Sequence, residues 1–260
     1  MPIPNFHKNL QQKVIITPKQ HLLAEQEDYK NFLVPDAIIF CFEEYLMDHV
    51  QANYEVKSAK FWTGDIHYFK DTGNKVGLMG NFGIGGPASC HLLEILIAAG
   101  VKKFVVLGHA GGLQKTNPIG SLVLCQKAIR DEGVSYHYLE DSKFSFASPT
   151  LTRHLQQSFL ADSLNFKLGS TWTIDSMYRE TIDEIRHYEQ EGIDTVEMEA
   201  ASLFAVAKFR QVQLTGLFVI SDFVTFEEWE DYLYANDTTK ALFQALKHTK
   251  KALVTEIMEP

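Results

Sequence analysis

The sequence predicts an α/β protein with a mainly parallel sheet that is covered by helices on both faces. Apolar runs of strand length alternate with segments of helical spacing along most of the chain. Two of these runs end in carboxylates, at Glu199 and Asp222, and ligands bind at the carboxyl ends of strands in open α/β sheets. No internal repeat, linker or low-complexity segment divides the 260 residues, so one domain is the economical interpretation.

The first 34 residues differ from the rest. Residues 1–34 are mostly polar with little periodicity, so we expect a lead-in or an arm that packs on a neighbouring subunit, the arm being slightly favoured. Residues 35–260 are expected to form the folded domain. Apolar runs bounded by Pro, Gly, Asn or Asp then predict the extended segments. These segments are residues 37–42, 54–68, 75–82, 101–107, 119–128, 166–172 and 217–220, with a turn signal at 71–74.

Helices are predicted between these strands. Pro87 at a first helical position and Gly100 just beyond the last turn bound one of them. Residues 200–209 carry an apolar stripe, with Ser202 and Arg210 expected on another face. The other predicted helices are residues 43–52, 150–164, 179–190 and a C-terminal helix whose apolar face carries Leu242, Leu246, Leu253 and Ile257.

Composition limits the partners. A formal charge of −9 disfavours nucleic acid, because phosphate backbones need clustered Lys and Arg. The cysteines Cys41, Cys90 and Cys125 lie far apart without a CxxC pair, so we expect buried thiols in a reducing compartment and no metal site. No segment approaches the ~20 apolar residues of a membrane span, and none resembles a signal peptide. A cytoplasmic protein without nucleic-acid or membrane partners is expected.

Two glycine-rich segments that follow apolar strands are predicted to be turns. Gly83–Pro87 has the spacing of a dinucleotide fingerprint, but about 20 positions on, where that motif places an acid, the chain has Gly108 and His109. A nicotinamide cofactor is therefore not expected. The second segment, Gly108–Gly112, could present backbone N–H groups and the histidine to an anion such as phosphate. For both segments, a turn that binds nothing is an equally good interpretation.

Glu199 is the most informative acid. It lies at a strand-to-helix junction, where unpaired N–H groups of the first helical turn would hold it ionised. It stands between Met198 and Ala200 in an otherwise apolar run, and a carboxylate buried there needs hydrogen-bond donors. A pair of sugar hydroxyls would meet that need.

These residues resemble the nucleoside phosphorylase and uridine phosphorylase superfamily, which also includes related nucleosidases. The resemblance runs from about Pro35 to the C-terminal helix. Its most specific parts are VEMEAA at 196–201, Ser221–Asp222, the glycine segments GIGGP and GHAGG, and the loop RDEGVSYHY. The resemblance implies a single catalytic α/β domain with a central mixed, partly barrel-like sheet. It also implies a homo-oligomer, either a dimer or a hexamer built as a trimer of dimers.

The resemblance further implies a role for each acid. Glu199 would accept from the 2′ and 3′ hydroxyls of ribose, and Asp222 would protonate the base as the glycosidic bond breaks. Such a proton removes the charge that the leaving base would carry, and a fixed carboxylate favours the oxocarbenium-like sugar. Met177 or Tyr178 would lie against the base. The residues expected to contact substrate, besides this catalytic pair, are Gly83, Gly108, His109, Gly111, Arg130, Met177, Tyr178, Arg179, Glu197 and Met198.

The site for the attacking group departs from the family. The GDPxR-like phosphate loop is absent, Val106 occupies the position of a phosphate-binding arginine, and His109 replaces a Ser or Thr. Arg130, His109, His137 and Arg179 are candidate substitutes. The general-base glutamate of the nucleosidases is not recognisable either, and residues 223–236 contain no arginine to assist the catalytic acid.

We therefore expect cleavage of the N-glycosidic bond of a purine or pyrimidine nucleoside, with phosphorolysis favoured over hydrolysis. Phosphate would be a co-substrate, and no cofactor is predicted. A protein that binds nucleosides without catalysis is an alternative from another class, because fold does not dictate function. His7 is a candidate for contact with the sugar of a neighbouring subunit.

Overall fold

A computed structural model describes residues 10, 12–24, 32–61, 63–224 and 229–258 of the chain. His7 lies outside these residues. The strands within them are β1 (Ala37–Cys41), β2 (Val56–Phe61), β3 (Gly64–Phe69), β4 (Val76–Gly80), β5 (Lys103–Gly112), β6 (Leu122–Asp131), β7 (Phe144–Phe146), β8 (Lys167–Ile174), β9 (Thr195–Glu197), β10 (Gln213–Val224) and β11 (Trp229–Asp231). The helices are α1 (Pro18–Ala24), α2 (Glu44–Asn53), α3 (Gly86–Ala99), α4 (Pro149–Ala161), α5 (Ile182–Gln190), α6 (Ala200–Arg210) and α7 (Asn236–Met258). The alternation of strands and helices is confirmed.

All these strands belong to one sheet that closes partly on itself. The pairings run β5–β10–β6–β8–β9 and return to β5, which makes a five-stranded barrel. Strands β1, β4, β3 and β2 extend the sheet beyond β5. Pairings of β1 with β4 and β5 are parallel, whereas those of β10 with β6 and of β5 with β9 are antiparallel. The sheet is thus mixed and partly barrel-like, as the resemblance implies, rather than mainly parallel.

Helices cover both faces of this sheet because its central strands are apolar on both sides. In β1, Ile38 and Phe40 pack into one core cluster with helices α3 and α6, while Ile39 packs into a second with α2, α4 and α7. The predicted face of α7 lies in this second cluster, with Leu242, Leu246 and Leu253 fully buried. Residues Ala200–Ala207 of α6 are all buried, Ser202 among them, so this helix has no solvent face in that stretch.

The second glycine segment is not a turn, contrary to the sequence-based expectation. Gly108–Gly112 continues β5, because β10 pairs with it along its whole length. Its glycines serve close packing: a Cβ at Gly108 would lie 3.0 Å from the ring of Phe42, and one at Gly112 would lie 3.0 Å from Ile220. At such distances a Cβ atom would force its neighbours to shift by a few tenths of an ångström, so glycine fits the close packing of the strand there.

Strand β10 is also longer than the sequence predicts. It runs through Asp222 to Val224 and pairs with β11, so Asp222 does not end a strand and residues 223–236 are not wholly a loop. A bulge at Ser221 shifts the register of β10 against β5 between Ile220 and Asp222. Bulges change the direction of neighbouring side chains and are frequent beside active sites.

The described part of the N-terminal region packs on its own chain. Leu22 and Phe32 contact the core cluster of α3 and α6, and the Phe32 ring lies 4.1 Å from that of Phe61. Ile15 and Ile16 are 93% and 80% exposed. Contact with a neighbouring subunit stays a prediction.

Two compositional expectations can be compared with the structure. Cys41, Cys90 and Cys125 are buried and free, as predicted. In the described ranges, no helix has both the length and the apolar character needed to cross a membrane.

Candidate active site

The sheet splays at the middle of β5, and the candidate site lies at this gap. Strand β1 pairs with β5 up to Leu107, whereas β9 pairs with Gly111 and Gly112 from the opposite direction. The carboxyl ends of β1 and β9 therefore converge on residues 108–110. The segments that follow them carry Glu43 and Glu199, so strand direction alone brings two acids to one place.

The side chain of Glu43 accepts a backbone hydrogen bond from β5 at the point where the pairing with β1 has ended. Its Oε1 accepts from the backbone N–H of His109 at 2.9 Å, and its Oε2 accepts from that of Phe42 at 3.2 Å. Burial is the main influence and raises the pKa of Glu43 to about 7, although these donors act in the opposite direction. Glu43 is consequently poised to gain or lose a proton near neutral pH.

His109 is buried beside Glu43. Its side chain is 7% exposed, its Nδ1 lies 3.5 Å from Glu43 Oε1, and its Nε2 lies 3.0 Å from the hydroxyl of Tyr45. Burial lowers the pKa of His109 to about 4. The imidazole is therefore neutral at physiological pH and supplies no positive charge for a phosphate.

Glu199 reaches the first glycine loop from the other side of the gap. Its Oε1 accepts a short hydrogen bond from the N–H of Gly85, whose φ of 88° is left-handed and suits glycine. Burial, followed by the charge of Glu197, raises the pKa of Glu199 to about 8, and Glu43 contributes in the same direction. The expectation that the helix N-terminus holds Glu199 ionised is wrong, because its side chain makes no capping bond.

Glu197 takes that capping role instead. Its Oε2 accepts from the N–H groups of Glu199 at 2.8 Å and Ala200 at 2.7 Å, and its Oε1 accepts from Thr173 Oγ1 at 2.5 Å. Thr173 Oγ1 in turn accepts from the N–H of Ala201 at 2.9 Å. Burial raises the pKa of Glu197 as well, opposed by these donors. Glu197 thus orients the junction that presents Glu199, whereas the sequence suggested direct contact with substrate.

Asp222 belongs to the same region through β5. It is the cross-strand neighbour of Gly111, which shares a strand face with His109 because residues two apart on a strand point the same way. Asp222 is half-buried, and its Oδ1 accepts from Ser221 Oγ at 2.7 Å. Burial and the nearby charge of Asp222 raise the pKa of Glu180 to about 7. The turn before α5 therefore lies close to Asp222.

The residues predicted to contact the base are at the surface. Met177 and Tyr178 form a short 3₁₀ turn with Arg179 and are 46% and 91% exposed. Arg179 is also exposed and lines a surface pocket with acidic residues, among them Asp131. Met198, in contrast, is the single half-buried residue in the otherwise buried run 193–201. Its partial exposure agrees with a position at the mouth of the site.

Arg130 is engaged by its own loop. It is 4% exposed, and its guanidinium donates to Ser135 Oγ at 2.8 Å, to the carbonyl of Glu140 at 2.7 Å and to Ser142 Oγ at 2.8 Å. A buried cation with this many donors in use is a structural anchor. In this arrangement, Arg130 stabilises the loop that contains it, and its guanidinium is not directed at an anion site.

The glycines predicted to contact substrate divide into two kinds. Gly83 is exposed and has a φ of 94°, so its segment is a turn, as predicted. The backbone N–H of Gly85 in the same turn donates to Glu199. Gly108 and Gly111 are buried inside β5. Any contact that they make with substrate would come from the backbone of β5.

A separate cavity of about 1040 Å³ lies between residues 10 and 12–21, helix α3 and the end of α6. Its strongest polar groups satisfy one another, because Arg210 pairs with Glu94 at 2.8 Å and Tyr138 donates to the same carboxylate at 3.0 Å. Arg210 therefore lies off the apolar stripe of α6, as predicted, and forms an ion pair with α3. Glu94 is the one acid among its described lining residues, so the cavity does not bring several acids together as the gap in the sheet does.

Sequence reasoning missed Glu43, Tyr45 and Glu180. Glu43 stood inside a predicted helix, where an acid is usually solvated. One signal was available: Glu43 follows the buried strand β1 within two residues, as Glu199 follows β9. Acids directly after apolar strands at a common sheet edge merit equal weight as candidates.

Comparison with known proteins agrees with this geometry. The family model of the phosphorylase superfamily matches residues 36–257. An uncharacterized protein of Acanthamoeba polyphaga mimivirus is 29% identical over 159 residues, covering 61% of this chain and 60% of that protein. A DeoD-type purine nucleoside phosphorylase of Streptococcus thermophilus is 28% identical over 213 residues, covering 78% of this chain and 85% of that protein.

A solved structure confirms the fold. The AMP nucleosidase of Bacteroides thetaiotaomicron superposes with a TM-score of 0.71 at 21% identity, covering 90% of this chain and 98% of that one. The match of the family model to residues 36–257, together with the splayed sheet and its paired acids, identifies this chain as a member of the phosphorylase superfamily.

Proposed function

We propose that this protein hydrolyses the N-glycosidic bond of a nucleoside, with Glu43 as the general base. The observation that carries the proposal is the position of Glu43, a buried carboxyl facing Glu199 with a pKa raised to about 7. A general base works best with a pKa near the operating pH. The reaction class is that of the nucleoside phosphorylases and nucleosidases, the family to which the chain belongs.

Electrostatics favours water over phosphate as the nucleophile. Among the described residues, neither Glu43 nor Glu199 forms a hydrogen bond or ion pair with a lysine or arginine. Two unit charges 4 Å apart interact by about 4 kcal/mol at an effective dielectric constant of about 20. A phosphate beside an ionised Glu43 would meet that repulsion without a compensating cation from the described residues, whereas water would not.

The oxygen of water bonds to C1′ of the sugar while the C1′–N bond breaks and its electron pair goes to the base. Glu43 takes a proton from the attacking water. Glu180, whose pKa burial and the charge of Asp222 raise, holds the proton that passes through Asp222 to the leaving base. Ribose hydroxyls that donate to Glu199 favour its ionised form, and the negative charge that it then carries stabilises the cationic sugar. Free ribose and free base are the products.

Phosphorolysis is a second candidate, as the sequence suggested. It is favoured by the 28% identity to a DeoD-type purine nucleoside phosphorylase over 213 residues. Protonated forms of Glu43 and Glu199 would repel phosphate less, and their raised pKa values make those forms accessible near neutral pH. Such an enzyme would form ribose 1-phosphate.

A labelled-water experiment distinguishes the candidates. A panel of purine and pyrimidine nucleosides is incubated with the protein in H₂¹⁸O, with and without phosphate, and products are identified by mass spectrometry. We expect base release without phosphate and one ¹⁸O atom on the anomeric carbon of ribose. A strict requirement for phosphate, with ribose 1-phosphate as product, would establish phosphorolysis. Nucleoside binding in calorimetry without release of base under either condition would instead support a binding protein.

A further inference from the structure

A chain of hydrogen-bonding groups leads from helix α7 to Glu43. The side chain of Thr239 is near enough to the hydroxyl of Tyr45 to oppose the rise in its pKa that burial causes, and that hydroxyl lies 3.0 Å from Nε2 of His109. On the other side of the same ring, Nδ1 lies 3.5 Å from Glu43 Oε1. Three elements, α7, α2 and β5, thus position one imidazole against one carboxyl.

The ring nitrogen that faces Glu43 is buried without a hydrogen-bond partner. His109 Nδ1 makes no hydrogen bond in this structure, although its side chain is only 7% exposed. A buried polar atom without a hydrogen-bond partner destabilises the folded state, so a partner is expected in the working state of the site. Glu43 is the polar group within reach, and hydrogen bonds of catalytic groups often tighten only once substrate is bound.

Electrostatics selects one tautomer of His109. If Nε2 carried the proton, the lone pair of Nδ1 would point at the carboxylate oxygen of an ionised Glu43, which is repulsive. If Nδ1 carries the proton, that N–H faces the carboxylate and Nε2 accepts from Tyr45. The second arrangement satisfies both nitrogens, because the hydrogen bond made by one nitrogen determines which nitrogen is protonated.

The other titratable groups near Glu43 do not stabilise its carboxylate. Cys41 and Tyr45 each feel the charge of Glu43, which raises the pKa of both groups alongside their burial. Glu199 is a further acid in electrostatic contact, and Tyr234 acts on Tyr45. All of these are neutral or acidic. Among the described side chains around Glu43, His109 is the one that can donate a hydrogen bond to its carboxylate, since the hydroxyl of Tyr45 faces His109 Nε2.

We propose that His109 is a positioning residue for Glu43: Tyr45 holds the neutral imidazole in its Nδ1–H tautomer, and that N–H stabilises the ionised carboxylate that activates water. The inference rests on the proposed hydrolytic role of Glu43. His109 stands where the family that the chain resembles commonly has Ser or Thr. Positioning Glu43 is a role that suits a site in which no arginine among the described residues contacts that carboxyl. Thr239 and Tyr45 become remote determinants of the acidity of the base.

The first test is a spectroscopic one that needs no turnover. In ¹⁵N-histidine-labelled protein, the ring nitrogens of His109, assigned with a His109→Gln variant, should report a neutral Nδ1–H tautomer between pH 6.5 and 8.5. A Tyr45→Phe variant keeps the ring packing but removes the hydroxyl, so His109 should show a mixture of tautomers. A Tyr234→Phe variant is the control, because Tyr234 is 76% exposed and its ring centroid lies 6.1 Å from that of Tyr45.

The second test is the pH profile of kcat/KM. Losing a hydrogen bond to a charged group costs about 1.5 kcal/mol, which is about one pKa unit. Tyr45→Phe should therefore raise the acid limb by about one pH unit, with about a tenfold loss of kcat/KM at pH 6 and little change at pH 8.5. Titration of ¹³C-labelled glutamate carboxyls should show the same shift for Glu43, assigned with Glu43→Gln.

Defined results would overturn the inference. An Nε2–H or doubly protonated His109 at neutral pH in the wild-type protein refutes it, even if Tyr45→Phe does not fold. An unshifted Glu43 titration in folded Tyr45→Phe also refutes it. Failure of the hydrolytic proposal is separate, because a phosphate requirement in turnover would leave the tautomer and carboxyl titration of the free protein unchanged.

Discussion

At the scale of single residues, sequence neighbours at this site have different roles. Glu197 and Glu199 are two positions apart, yet Glu197 accepts from two backbone N–H groups and a threonine, whereas Glu199 accepts from Gly85 across the gap. Buried carboxyls with fewer donors are held closer to their neutral form. Glu199 therefore has the capacity to accept further hydrogen bonds, and sugar hydroxyls can donate them.

Replacement of the sugar and base acids should impair catalysis without unfolding the protein. Glu199→Gln removes a charge that favours the cationic sugar, and Asp222→Asn removes a proton donor. Each should lower kcat/KM for a nucleoside by about 10²–10³-fold, the usual effect of losing one such group. Steady-state kinetics with circular dichroism checks this, and the exposed Glu55→Gln serves as control. Full activity in both variants would mean that the site is elsewhere.

Glu43→Gln tests the general base separately. We expect kcat to fall by about 10²–10⁴-fold, because amide cannot take a proton from water. In the wild-type protein, activity should rise with pH through about 7, since the base must be ionised and its pKa is raised to about 7. The adjacent Glu44→Gln is a matched control, as Glu44 is exposed in the first turn of α2. Equal kinetics of the two variants would exclude Glu43 as the base.

At the scale of elements, the start of α6 determines where Glu199 lies. Thr173 on β8 bonds both Glu197 and the N–H of Ala201, so a strand of the barrel positions the first turn of the helix. Helix termini leave backbone N–H groups that need partners, and here a buried carboxylate and a hydroxyl supply them. The site is consequently coupled to the barrel and not only to its own loop.

Thr173→Val should affect both stability and turnover. It removes the hydroxyl that donates to Glu197 Oε1 and leaves the N–H of Ala201 without its acceptor, which costs about 1–3 kcal/mol of unfolding free energy. Because Glu199 would shift with the helix terminus, kcat/KM should fall about tenfold or more, since small displacements at catalytic groups have large effects. The control is Thr215→Val, which breaks a buried 2.8 Å bond to Thr152 on α4. Urea denaturation should show a comparable loss in both variants, whereas unaltered turnover in Thr173→Val would contradict the coupling.

At the scale of the whole molecule, the buried acids of the candidate site make the stability of the fold depend on pH. Glu43, Glu197 and Glu199 have raised pKa values because of burial, so the folded state holds protons that the unfolded state releases above about 4.5. Stability should therefore fall as pH rises from about 4.5 towards about 8. His109 acts in the opposite direction: its lowered pKa makes the folded state lose stability as pH falls from about 6.5 to about 4.

Glu199→Gln should flatten this dependence. The amide removes one group that must ionise in a buried place, so the variant should gain stability relative to the wild type as pH rises. Thermal or urea midpoints measured from pH 5 to pH 8.5 should diverge in favour of the variant at the alkaline end. Parallel curves would show that Glu199 is not buried in a neutral form. Glu55→Gln, at an exposed position, should run parallel to the wild type.

Much of the fold was predictable because local patterns carried it. The strand β1, the helix bounded by Pro87 and Gly100, and the apolar face of α7 were predicted from apolar runs, turn residues and helical spacing. The family resemblance supplied the mixed, partly barrel-like sheet, which alternation alone described as mainly parallel. Two predicted strand ends were wrong because strand pairing outweighs local sequence preference. Strand β5 includes the GHAGG glycines because β10 pairs with them, and β10 continues past Asp222 because β11 pairs with it.

By itself, the sequence determined the α/β class, the acids Glu199 and Asp222 as candidates, and the lack of the phosphate-binding residues of relatives. Those features depend on residue type and short spacing. Only the tertiary structure decided that Glu197 caps α6, that Arg130 is engaged by its own loop, and that Glu43 meets His109 and Glu199. These facts depend on which strands converge on the middle of β5, and that convergence joins residues 66 and more positions apart, as in the contact of Glu43 with His109.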